Sequence, residues 1–314
     1  MKKSVSLSVP AMFSRRDIVI TSIVSIIYLL LSALLVGFKT DQLFLIALFN
    51  VLYYASSITR KFIIGFSIFI VYWIIYDYMK AFPNYRYNAV NIESLYNAEK
   101  NIFGILLNGT LVTPNEYWLQ HTSHLLDAVC GFFYLCWIPV PLLFAGYLFY
   151  KNRQQFLCFS LTFVFVNLLG FVVYYIYPAA PPWYIQQHGF VFHASTPGNT
   201  AGLYRFDNLF KVNIFKSLYA KGSNVFAAMP SLHSAYPLIV FYYGIKNKLG
   251  AANIFFGIVM VGIWFAAVYT SHHYVLDVLA GITCAIVGIF LFNKYLLTNK
   301  RFAGFLERYR LRIS

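Results

Sequence analysis

The sequence predicts an all-α protein built as a polytopic bundle of membrane-spanning helices. Of its 314 residues 60% are hydrophobic and only 11% charged, against about 45–50% and 25% in soluble globular chains. The apolar residues gather into long runs, and the basic residues concentrate at alternate ends of those runs. This composition excludes a water-soluble fold, intrinsic disorder and a disulfide scaffold. Cys130, Cys136, Cys158 and Cys284 all lie inside apolar runs without C-x-x-C spacing and read as packing residues.

The runs fall near 18–38, 43–57, 62–78, 125–150, 156–177, 232–245, 251–269 and 278–292. A helical crossing takes about 20 apolar residues. The second and sixth runs are short by that measure, so the expectation is six to eight spans. The first run follows Lys2, Lys3, Arg15 and Arg16 as a signal peptide would, but it is too long for one and no small-residue cleavage site follows, so it is expected to be a retained anchor. The resulting organisation is a tail over 1–17, N-terminal spans over 18–80, an amphipathic segment over 81–124, a core over 125–293 that includes a long loop at 178–231, and a basic tail over 294–314.

Sixteen of the 24 lysines and arginines fall on the side of the bundle that carries both termini, which predicts cytoplasmic termini. The tail from Lys300 to Arg312 then faces anionic lipid headgroups, and the net charge of +14 needs no nucleic-acid partner. All seven histidines fall on the opposite, non-cytoplasmic side. The short basic start points to a bacterial inner membrane.

Three places on that side carry candidate chemistry. His124 and Asp127 share a helical face, as an oriented base or as a span cap. Met229-Pro230-Ser231-Leu232-His233-Ser234 opens an apolar run with helix-start signals, and the free N–H groups of such a start suit a phosphate, with His233 placed to pass it a proton. Thr270-Ser271-His272-His273-Tyr274-Val275-Leu276-Asp277 opens the last run. There His273 and Asp277 lie i, i+4, about 40° apart around a helix, whereas His272 and Asp277 lie roughly 140° apart. A carboxylate on one imidazole nitrogen leaves the other with the lone pair that a histidine nucleophile needs. Zinc ligation and plain capping are the alternatives, and helix starts beside a basic loop suit an anion better than a cation. Upstream, Tyr174 to Tyr184 combine aromatics with Pro178, Pro181 and Pro182, either as an aromatic belt at headgroup level or as a wall beside the site.

Pro230-Ser231-x-His233 followed by His273-x-x-x-Asp277 resembles the second and third signature motifs of the type 2 phosphatidic acid phosphatase (PAP2) superfamily. With His272, Ala180-Pro181-Pro182-Trp183-Tyr184 and Thr196-Pro197-Gly198-x-x-x-Gly202-Leu203-x-Arg205-x-Asp207, the pattern over about 115–281 is similar to the inositol phosphorylceramide synthases. The resemblance implies a PAP2-like core and a metal-independent phosphotransferase without cofactor. It would move inositol phosphate from phosphatidylinositol to ceramide or a related lipid alcohol through a phosphohistidine and release diacylglycerol, with a lipid phosphate phosphatase as the alternative. His273 is then the nucleophile, Asp277 its orienting carboxylate and His233 the proton donor, with Arg205, Ser231, Lys221, His272 and Asp207 as substrate contacts. Two departures stand out. Ala266 and Ala267 occupy the positions where the superfamily carries Ser-Arg, and no clean first motif is present, so Arg205 is expected to supply the phosphate's counter-charge, with Lys221 as a second candidate.

Overall fold

The computed structural model describes residues 14–194, 196–220, 222 and 224–314. The chain divides into two compact units, one of residues up to 81 with 311–314, the other of residues 82–310.

The first unit holds α1 (Arg15–Leu35), α2 (Thr40–Ala55) and α3 (Ser57–Tyr78). Ser14 and Asp17 form a reciprocal capping box at the start of α1, and Ser56 accepts from the Thr59 amide at the start of α3, which satisfies amides that an apolar surrounding would leave unbonded. Between helices with such apolar surfaces, polar side chains supply specific ties. Thr21 meets the Tyr54 hydroxyl at 2.6 Å and Asn50 donates to Ser25 at 3.2 Å.

The second unit opens with α4 (Glu93–Phe103), a hairpin of β1 (Ile105–Leu107) and β2 (Thr110–Val112), and α5 (Pro114–Gln120). Asn108 and Gly109 both sit at positive φ, 50° and 80°, the conformation that a two-residue hairpin turn demands and that Asn-Gly tolerates. The apolar helices follow: α6 (His124–Leu135), α7 (Pro139–Lys151) and α8 (Arg153–Ile176). Short α9 (Pro182–His188), α10 (Tyr204–Phe210) and α11 (Ile214–Ala220) punctuate the long loop. Then come α12 (Leu232–Lys246), α13 (Ala252–Tyr269), α14 (Val275–Leu291) and α15 (Lys300–Ile313).

Among the described residues six helical stretches are long and apolar enough to cross a membrane, with α6 and α7 counted as one, and α2 is a shorter apolar helix. The protein is a multi-pass membrane protein of all-α class. The run at 125–150, expected as one continuous span, breaks over Cys136–Ile138, because Pro139 and Pro141 open a new helix but cannot donate back into the preceding turn.

Within this unit α12 packs on α13, α14 and α8. Glycines bring two of those contacts close. A Cβ on Gly281 of α14 would collide with the Ser231 carbonyl, and one on Gly170 of α8 would press into Leu232. Buried polar pairs lock the same helices: Tyr236 donates to Asn167 at 2.6 Å, and the Thr162 and Tyr243 hydroxyls meet at 2.8 Å. Trp183 and Tyr184 do not form a headgroup belt. They are 5% and 0% exposed and pack with Ala180 and Phe226 in the loop's own core, because Tyr184 places its hydroxyl between the Val191 carbonyl and the His193 amide rather than at a surface.

Candidate active site

The segment between α13 and α14 makes a tight turn. Thr270 ends α13, Ser271 takes φ 59°, and the amides of His272 and His273 both donate to the Ala267 carbonyl at 3.0 Å. Ala266 and Ala267 are fully buried in a cluster with Tyr134, Leu203 and Phe215. No arginine reaches the site from these two positions, where the superfamily carries Ser-Arg.

Three of the expected residues meet at this turn. His233, in the first turn of α12, places Nδ1 3.1 Å from His273 Nε2. On the far side of the His273 ring, Nδ1 lies 3.6 Å from Asp277 Oδ2, just beyond hydrogen-bond range. Asp277 is fully buried, and its Oδ2 also accepts from the Tyr274 amide at 2.9 Å. The two motifs are joined through backbone, since the Ser231 amide donates to the Asp277 carbonyl at 2.9 Å. An Nδ1 proton directed at Asp277 leaves the Nε2 lone pair aimed at His233, the arrangement of a nucleophile facing a proton carrier.

Aromatic rings wall the pair. Tyr134 and Trp137 stand 5.1 and 4.6 Å from the His233 ring, and Tyr134 and Tyr219 flank His272 at 5.1 and 4.8 Å. Burial pushes His273 down to about 4 against the opposing pull of the Ala228 carbonyl. Burial, reinforced by His273 and His233, holds His272 well below the ordinary histidine value. Both rings are therefore neutral at pH 7, as nucleophilic attack requires.

The other candidates have partners of their own. Arg205, expected as the phosphate's counter-charge, places Nε 2.6 Å from Asp127 in an ion pair that is 12% and 7% exposed. Its Nη2 reaches the Tyr269 carbonyl at 3.5 Å, and Tyr269 donates its hydroxyl to the same carboxylate at 2.7 Å. The charge of Arg205 is thus balanced inside the protein. Asp127 consequently serves Arg205 and Tyr269, while His124 is exposed. Asp207, expected to touch substrate, accepts from the amides of Phe215 and Lys216 at 3.2 and 2.9 Å and caps the start of α11. Ser231 is buried and accepts from the Ser234 hydroxyl at 3.2 Å. His272 Nδ1 meets the Thr270 hydroxyl at 3.0 Å. Lys221 lies outside the described residues. Among the described residues no group of three or more His, Cys, Asp and Glu is arranged to hold a metal ion.

Two residues that the sequence did not single out touch the turn from α4 and α5. Glu99 accepts the Val275 and Leu276 amides, and Asn115 donates to the Val268 and His273 carbonyls. The Thr113-Pro114-Asn115-Glu116 pattern announces a helix start, but no local signal carries contacts across more than 150 residues.

A family model described as the PAP2 superfamily matches residues 107–291, which contain every residue of the pair of motifs. The chain belongs to the PAP2 superfamily. Within that superfamily it is similar to the phosphoinositol dihydroceramide synthase of Bacteroides thetaiotaomicron, 44% identical over 298 residues that cover 94% of this chain and 98% of that protein. It is also similar to the inositol phosphorylceramide synthase of Candida albicans, 27% identical over 70% of this chain, and to the inositol phosphorylceramide synthase catalytic subunit of Saccharomyces cerevisiae, 28% identical over 72%. The matched regions span about half of each fungal relative, 46% and 55%. No solved structure matches the chain. The likeness read from the motifs therefore extends beyond them, over 94% of the chain for the bacterial synthase and over 70% and 72% for the two fungal inositol phosphorylceramide synthases.

Proposed function

We propose that this PAP2 protein is a lipid phosphotransferase that moves inositol phosphate from phosphatidylinositol to ceramide or a related lipid alcohol and releases diacylglycerol. The observation that carries the reading is the 3.1 Å approach of His233 Nδ1 to His273 Nε2 with Asp277 behind the second ring. The phosphodiester takes the place of the direct contact between the two imidazoles, whose nitrogens separate from 3.1 Å to admit it. His273 Nε2 attacks phosphorus, the bond to the diacylglycerol oxygen breaks, and His233, which takes up a proton as the anionic phosphodiester enters beside it, gives that oxygen its proton. The head group is left on His273, and Asp277 offsets the positive charge of the substituted ring. His233, now neutral, takes the proton of the ceramide primary hydroxyl. The hydroxyl oxygen attacks phosphorus and frees His273, so atoms and charge return to their starting state.

Burial supports transfer over hydrolysis. His272 and His273 are each 5% exposed and Asp277 is fully buried, so bulk water is kept from the phosphohistidine while a lipid hydroxyl is delivered from the bilayer. Ser231 and His272 are assigned to the phosphate side of the site. Arg205 is assigned to tying α10 to α6 and α13. The site lies at the end of the second unit where α12 and α14 begin and α8 and α13 end, and Lys151, Arg153, Lys246, Lys248 and Lys294 cluster at the opposite helix ends. That asymmetry supports a site on the non-cytoplasmic face, and the likeness to a bacterial protein supports a bacterial inner membrane.

The test is detergent-purified protein with inositol-labelled phosphatidylinositol, with and without ceramide, and products separated by chromatography. Label in a ceramide lipid, dependent on added ceramide, is the expected result. Label released only as water-soluble product, with ceramide inert, overturns the transferase reading.

A further inference from the structure

We propose that α4 and α5 form a clamp that positions the nucleophile-bearing turn, with Glu99 and Asn115 as its two positioning residues. The proposal rests on the phosphotransfer reading above.

The turn at 270–274 supplies little of its own restraint. Tyr274, at the N-cap of α14, makes no capping bond of the kind a short Ser or Asp side chain makes. The first amides of α14 are shared instead between two carboxylates. Asp277 takes the Tyr274 amide, and Glu99 takes the Val275 amide with Oε1 at 2.9 Å and the Leu276 amide with Oε2 at 3.0 Å. A carboxylate on these amides satisfies donors that the helix itself cannot and sits at the positive end of the helix dipole. Glu99 is fully buried, and 176 residues separate it from Val275.

Asn115 works on the other side of the nucleophile. Its amide nitrogen donates to the carbonyl of Val268, in the last turn of α13, at 2.8 Å and to that of His273 itself at 2.9 Å. Asn115 is also fully buried. One side chain thus holds the carbonyl of the nucleophile residue while the other holds the amides that follow it. The two helices are a single tool: the β1–β2 hairpin joins them, and Tyr96 of α4 donates to Glu116 of α5 at 2.9 Å. Neither Glu99 nor Asn115 reaches a reacting atom. Their effect passes through the direction of the His273 ring, whose Nδ1 stands 3.6 Å from Asp277. A misplacement of about 1 Å in such a geometry costs about a hundredfold in rate.

The test uses the full-length protein in detergent. Glu99→Gln keeps the size of the side chain but turns an NH₂ group toward one of the two amides. It is expected to lower kcat about ten- to a hundredfold with KM for either lipid within twofold of wild type, counted per folded molecule. Glu99→Asp, which keeps the charge at shorter reach, should recover part of that loss, and Asn115→Ala should reproduce it. A second readout does not depend on turnover: ethoxycarbonylation of His273 by diethyl pyrocarbonate, followed by peptide mass spectrometry with exposed His124 as internal reference. Glu99→Gln should change the His273 rate severalfold and leave His124 alone. Wild-type kcat and an unchanged His273 rate in a folded Glu99→Gln protein overturn the clamp. If wild-type protein transfers no label, the reaction reading fails, and the acylation rates still decide the clamp.

Discussion

Replacing Asp277 by Asn separates the two services a carboxylate can render to a histidine nucleophile. The oxygen that faces His273 Nδ1 is the same Oδ2 that accepts the Tyr274 amide at 2.9 Å. In Asp277→Asn that amide selects the orientation with the carbonyl oxygen at the Oδ2 position, so Nδ1 still faces an acceptor and the tautomer is kept. What disappears is the charge. A unit charge 3.6 Å from a ring that turns cationic on accepting the phosphoryl group contributes about 4–5 kcal/mol at an effective dielectric constant of 20, which is about three powers of ten in rate. The new NH₂ falls at Oδ1, a buried atom without a hydrogen-bond partner among the described residues, so the substitution breaks no hydrogen bond there and the fold should be retained. The assay is kcat and KM for label transfer from phosphatidylinositol to ceramide, beside a thermal melt. The expected result is a loss of about a thousandfold in kcat with KM little changed and the protein folded at assay temperature. A folded Asp277→Asn protein within tenfold of wild-type kcat refutes the charge argument.

Asp127→Ala strands the Arg205 guanidinium in a site where the pair is 12% and 7% exposed, and a melt should register a loss of about 3–5 kcal/mol. The double change Asp127→Leu with Arg205→Met should restore most of that, and a single variant that melts as wild type contradicts it. Gly281→Ala drives a Cβ into the Ser231 carbonyl, backbone that cannot move without carrying His233 with it. Overpacking of about 1–3 kcal/mol with a parallel loss of kcat is expected, and unchanged kcat argues against the tie between the two motifs. Glu99 is pushed up to about 7 by burial, with the Val275 and Leu276 amides opposing and Asp277 reinforcing. Because its folded value exceeds the ordinary 4.5, the protonated form favours the fold: the contribution is present below pH 4.5 and is lost as pH rises through 7. The stability difference between wild type and Glu99→Gln should therefore shift against wild type between pH 5 and pH 8, and a flat difference contradicts the burial of an ionisable group there.

Much of this architecture is legible in the chain because the relevant signals are local. Apolar runs mark the helices, Pro230 marks the start of α12, and the i, i+4 spacing of His273 and Asp277 places both on one side of the opening turn of α14. Where the outcome depends on tertiary partners, the local signal falls short. Arg205 offers a free cation in sequence, but Asp127, 78 residues away, meets it first. Asp207 looks like part of a binding motif, yet its oxygens close the start of α11. Trp183 and Tyr184 have the composition of a membrane-interface belt and are buried in loop structure instead. Glu99 and Asn115 carry no periodicity or motif that links them to a turn more than 150 residues away, so only the folded chain identifies them.

Two imidazoles that face each other, one as nucleophile and one as proton carrier, predict two successive in-line displacements. The stereochemical course at phosphorus measures this directly. With phosphatidylinositol made chiral at phosphorus by sulfur and ceramide as acceptor, each displacement inverts the centre and the pair restores it, so the product should show overall retention. Overall inversion would mean that the acceptor attacks the donor lipid in a single step, and it would remove the phosphohistidine and with it the nucleophilic role of His273.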